Sequence, residues 1–88
     1  MIEKGTIVRS LKGRDKHRYY VVLQSSFDSV LLADGKVRKL ETPKHKNIKH
    51  IQATNKRLKL DEITSNKHLR KLLGPMNKQL KLKGTTEI

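Results

Sequence analysis

The chain has no cysteine and no tryptophan, and Tyr19, Tyr20 and Phe27 are its only aromatic residues. Without cysteine there is neither a disulfide framework nor a thiolate metal site. That composition fits the cytoplasm, which is the location expected. With so few rings the protein cannot stack a run of bases as single-strand binders do. Carboxylates are scarce too: 8 Asp and Glu stand against 21 Lys and Arg. His17, His45, His50 and His68 have no common ligand spacing, so a metal centre is not expected. No paired carboxylates, Ser/His/Asp set or nucleotide-binding glycine fingerprint sits in a recognisable motif. No apolar run approaches the ~20 residues of a membrane-spanning helix, and residues 1–5 lack the apolar segment of a signal peptide. The expectation is a protein that is not an enzyme, with no cofactor, no membrane and no small-molecule substrate.

What the chain has is positive charge. Its formal net charge is +13 over 88 residues, with 34% hydrophobic and 33% charged residues. The length predicts one domain. A domain of this size buries only about 60–65% of its unfolded surface, which leaves little room for an enzyme-type cleft beside a core. So large an imbalance attracts polyanions. RNA ranks first, because the cations run through both halves of the chain. A protein-interaction adaptor in transcription or translation, its barrel binding an acidic protein, is the second reading, and DNA the third. An anionic membrane is the weakest, for want of a helix with a wide apolar face. A monomer is expected when the protein is free.

Residues 6–11 are β-branched and partly alternating, a strand pattern. Residues 19–23 form a short continuous apolar run, which suits a strand buried on both sides, with one tyrosine inward and the other outward. Residues 24–28 read as a turn and 29–33 as a third strand. Asp34-Gly35 then reads as the tight turn of a hairpin whose second strand is 36–40, closed by Pro43. Residues 46–51 fit either a last short strand or a single helical turn. Five short strands within about fifty residues predict a mainly β fold, a small five-stranded antiparallel SH3-like barrel over 1–53 whose closure removes its edges.

Beyond Ala53 comes a basic extension, 54–88. Residues 55–60 (Asn-Lys-Arg-Leu-Lys-Leu) are echoed at 77–82, which is compatible with paired strands, two short helices or chance. A short helix is predicted near 65–73. Ser65 is its candidate N-cap, Leu69, Leu72 and Leu73 form one face, and Gly74-Pro75 supply the stop. A helix of barely two turns is unstable alone, so its leucines must dock on the barrel. The barrel itself is expected to fold without the extension.

The loop between the first two strands is the leading candidate site. Lys12, Arg14, Lys16 and Arg18 crowd it, and Gly13 can take the backbone angles of a tight turn. Asp15 reads as a cap that bonds backbone N–H groups rather than as a base reader. A basic, sharply bent tip presses cations onto a phosphate chain.

Residues 5–54 resemble the KOW-domain RNA-binding proteins. The match is closest to small bacterial proteins that are similar to the KOW-bearing large-subunit ribosomal proteins of archaea and eukaryotes. It is carried by Gly5 and Val8, by Gly13-Arg14-Asp15-Lys16, and by Tyr20-Val21-Val22. A second block strengthens it: Leu32-Ala33-Asp34-Gly35, then Arg38-Lys39-Leu40-Glu41, Pro43-Lys44 and Lys49-His50. One departure is His17, where the pattern has glycine; histidine tolerates left-handed geometry better than most residues. The resemblance implies an SH3-like barrel, no catalysis, and binding of structured RNA, ribosomal RNA foremost, through phosphate contacts. The RNA-binding candidates are Lys12, Gly13, Arg14, Lys16, His17 and Arg18 in the loop. Arg38, Lys39, Lys44, His45, Lys46, Lys49, His50 and Arg57 join them from a second basic series that also holds Lys36, Lys56 and Lys59. Alternation along a strand keeps these from sharing one face, so about half are expected to touch phosphate.

Overall fold

A computed structural model describes the backbone of residues 2–86 and the side chains of residues 2–78. It contains five strands, β1 (Thr6–Ser10), β2 (Tyr19–Ser25), β3 (Ser29–Ala33), β4 (Lys44–Asn47) and β5 (Ile51–Arg57), followed by one helix, α1 (Asn66–Thr86). One-turn 3-10 segments lie at Ile48–His50 and Leu60–Glu62. The strands form a single antiparallel sheet in the order β4-β3-β2-β1-β5.

The apolar run of β2 is buried on both sides, as its pattern requires. Alternation sends Tyr20 and Val22 to one face, where they pack with Val8, Val30, Leu32 and Ile51. Val21 points the other way, into a second cluster with Ile7, Ala33, Leu69 and Leu73. Tyr20 is fully buried, and Tyr19 is partly buried beside the second cluster. Two leucines of α1 therefore complete the sheet's second face, while Leu72 stays 39% exposed.

The sheet is not closed. β4 and β5 are its two edges, because β4 pairs only with β3 and β5 only with β1. Charge guards the edges instead of closure: Lys44 and Lys46 of β4 turn inward onto Asp15, and Lys56 and Arg57 are exposed on β5. β5 also runs past the expected boundary at 53, and Thr54 Oγ1 donates to the Ile7 carbonyl at 2.6 Å across a register shift.

The expected hairpin at 34–40 is absent. The Asp34 carboxylate accepts the N–H groups of Lys36 (3.0 Å) and Arg38 (2.8 Å), and Asn66 Oδ1 accepts that of Leu40 (2.7 Å). Alternate donors that a strand would offer to a ladder are thus held by side chains, and the segment is a loop. Gly35 takes φ +79, but Asp34 does not take a positive φ, so this is no type I′ turn. A Cβ at Gly35 would collide with the Asn66 carbonyl, so the glycine also lets α1 approach the loop. Pro43 precedes β4 rather than ending a strand, a position where the missing donor is harmless.

Ser65 caps α1 as the sequence suggests, its hydroxyl accepting the His68 N–H at 3.1 Å. Gly74-Pro75 does not stop the helix. Pro75 removes one backbone donor, and the absent Cβ of Gly74 relieves the clash that otherwise disfavours helix before proline. Asn77 then holds the next turn to the sheet: its Oδ1 accepts the Tyr19 N–H at 2.8 Å and its Nδ2 donates to the Tyr19 carbonyl. The two echoed segments adopt different structures, strand and 3-10 for one and helix for the other, so the echo has no structural counterpart.

Candidate nucleic-acid interface

The loop between β1 and β2 is built from overlapping turns. Lys16 N–H donates to the Gly13 carbonyl (3.2 Å) and Arg18 N–H to the Asp15 carbonyl (2.9 Å). Backbone bonds between Ser10 and residues 17 and 18 close its base. Gly13 has φ +91 and His17 φ +75. His17 is the one non-glycine residue with positive φ among the described residues.

Asp15 holds this loop, though not as a backbone cap. Its Oδ1 accepts from Lys46 Nζ and from the Ser10 hydroxyl, each at 2.9 Å. Its Oδ2 accepts from the Tyr20 hydroxyl and from Lys44 Nζ, also at 2.9 Å. Burial pushes the Asp15 carboxyl up, but Lys46, Lys44, Tyr20 and Ser10 together outweigh it and hold the group well below the usual carboxylate range. The Tyr20 phenol is pushed well above its usual range, first by burial and then by its bond to Asp15. Lys46 is 7% exposed and also donates to the Ser10 hydroxyl and the Lys12 carbonyl. Two cations expected on the binding surface, Lys44 and Lys46, are therefore internal struts.

Arg18 is a third strut. Its Nε donates to Asp34 Oδ2 at 2.6 Å, and the Asp34 side chain is fully buried. This pair ties the basic loop to the 34–38 turn. Arg57 pairs with Glu3 at 2.5 Å across an exposed surface. Lys12, Arg14, Lys16 and His17 are exposed. Arg38, Lys39, His45 and Lys49 are exposed, and half-buried His50 gives its carbonyl to the Leu11 N–H.

Between the loop and α1 lies an open cleft of ≈ 650 Å³. Residues 14–18 line it from the loop, Asp34 and Lys36 from the turn after β3, and Arg70, Gly74, Asn77 and Lys78 from the helix. Positions 70, 74 and 78 recur every four residues and so share one flank of the helix. The sequence hid Arg70 and Lys78 as site residues, because Gly74-Pro75 reads as a stop. The four-residue spacing was the available signal. Among the described residues, Arg14, Lys16, Lys36, Arg70 and Lys78 have no carboxylate partner. Both carboxylates on the cleft wall, Asp15 and Asp34, are already paired with cations, so the cleft presents uncompensated positive charge. Among the described residues, no group of three or more His, Asp or Glu side chains could hold a metal, and no helix is long and apolar enough to cross a membrane.

No protein-family model matches this sequence, and no curated protein matches it.

Proposed function

We propose that the protein is a non-catalytic RNA-binding module that associates with ribosomal RNA and holds structured RNA mainly through its phosphates. The observation that carries this reading is the cleft between basic loop and helix, whose unpaired cations face one another while its two carboxylates are neutralised from within. Phosphate contacts of this kind set affinity and orientation with little sequence readout. The resemblance of residues 5–54 to KOW-domain proteins supports the same reading. So does a strand order compatible with an open-edged SH3-like barrel, with a one-turn 3-10 segment between the last two strands. Tyr20 is buried and Tyr19 partly buried, which leaves Phe27 as the one largely exposed ring, too few for base stacking on a row of aromatic rings to dominate affinity.

Sedimentation with ribosomal subunits at moderate and high salt tests the proposal. Co-migration with one subunit at moderate salt, released at high salt, is expected. Binding that high salt leaves intact would count against affinity supplied mainly by phosphate contacts.

A further inference from the structure

The cleft has a shape and chemistry that a duplex backbone does not use. Its ≈ 650 Å³ lies within the range of about 300–1,000 Å³ typical of pockets that enclose one small molecule. A double helix can lie across such a cleft but cannot enter it. The lining includes side chains with planar groups: Arg14, His17 and Arg18 on the loop side and Arg70 on the helix side. Planar guanidinium and imidazole groups stack on base faces, and arginine binds phosphate bidentately as well. Arg18 is oriented in advance, since its Nε is anchored to buried Asp34 while the terminal nitrogens stay outside that bond. On the helix wall, Gly74 leaves the space open: a Cβ there would meet nothing within 4 Å.

We propose that this cleft receives one unpaired nucleotide of the RNA, a bulged or looped-out residue, with its base between the arginine planes and its phosphate at Lys16, Lys36 and Lys78. The proposal rests on the RNA-binding reading and adds the feature of the RNA that is recognised. Loop and helix then act as two jaws, and α1 is part of the interface rather than a tail. Base identity is read weakly. The Asn77 amide is committed to the Tyr19 backbone and the Asp34 carboxylate to Arg18 and two backbone N–H groups, so few groups remain to read a base edge.

Anisotropy titrations of the full chain at fixed salt test this with three RNAs that share one stem: fully paired, with a single bulged uridine, and with an abasic bulge. The wild type is expected to bind the bulged stem about tenfold more tightly than the paired stem, the size of one stacking contribution. The abasic bulge should lose most of that preference. Arg70→Gln with Lys78→Gln, both exposed positions, should bring bulged and paired stems within about twofold of each other, while binding to the paired stem persists through Arg14 and Lys16. Equal wild-type affinity for bulged and paired stems would overturn the nucleotide proposal and leave RNA binding standing. So would a bulge preference that survives the helix substitutions. No binding to any of the three RNAs would overturn both.

Discussion

Lys46 Nζ lies 2.9 Å from Asp15 Oδ1, and both side chains are more than nine-tenths buried. This ion pair joins the edge strand β4 to the centre of the basic loop. It removes one cation from the surface while fixing the frame on which Arg14 and Lys16 are displayed. A buried pair need not be stabilising against an apolar replacement, but breaking it from one side leaves a charge stranded.

Asp15→Asn should therefore destabilise the protein by about 3 kcal/mol or more, since Lys46 then sits buried without a counter-charge. Adding Lys46→Met should restore part of the loss. Urea unfolding of both single variants and the double variant gives the coupling directly. Additive effects would mean that the pair does not act as a unit.

The same group sets the acid limit. The folded state holds the Asp15 carboxyl below its usual range, so its contribution is full above the unfolded-state pKa of about 4 and is lost as pH falls further, through the lower folded-state value. Urea midpoints measured between about pH 2 and pH 7 should fall steeply below about pH 4 in the wild type and more gently in Asp15→Asn. Tyr20 works in the opposite direction. Its phenol is pushed up, so its contribution is full below about pH 10 and is lost as pH rises beyond that. Tyr20→Phe should flatten the alkaline limb.

Helix docking makes a sharp contrast within one turn of α1. Leu69 and Leu73 are buried in the second cluster, whereas Leu72 is 39% exposed. Leu69→Ala or Leu73→Ala should cost about 2–4 kcal/mol, and Leu72→Ala less than about 1 kcal/mol. Removal of α1 altogether should unfold the sheet, because Ile7, Val21 and Ala33 lose their cover. A truncated chain that keeps a cooperative thermal transition would show that the first cluster suffices.

His17 carries strain that glycine would not. At φ +75 a non-glycine residue costs about 1 kcal/mol or more, so His17→Gly should raise stability by about 0.5–1 kcal/mol in thermal unfolding. A loss of stability would mean that the ring makes contacts worth more than the strain.

RNA affinity should fall with salt along a slope of log K against log concentration between about −4 and −6, for roughly five to seven phosphates neutralised. Arg14→Gln with Lys16→Gln should weaken binding about tenfold or more, with Lys56→Gln and Lys59→Gln, away from the cleft, costing much less. Equal losses from the two pairs would mean diffuse attraction with no defined site.

The sequence by itself determined the strand character of β1 to β3, the two-sided burial of β2, the serine cap of the helix and the large positive charge. Each of these depends on neighbours within a few residues, where side-chain period and backbone preference act directly. The tertiary structure decided the rest. Residues 36–40 follow an Asp-Gly pair that reads as a hairpin turn, yet Asp34 and the distant Asn66 take their donors. Gly74-Pro75 has the local signature of a helix end, yet Asn77 grips Tyr19, 58 residues away in the chain. Lys46 and Arg57 look alike in sequence. One is buried against Asp15, 31 residues away, and the other pairs with Glu3 in the open. Which cations are struts and which are left unpaired depends on carboxylates brought near only by folding. Coulombic pairing acts through space, and the linear order of residues does not encode those distances.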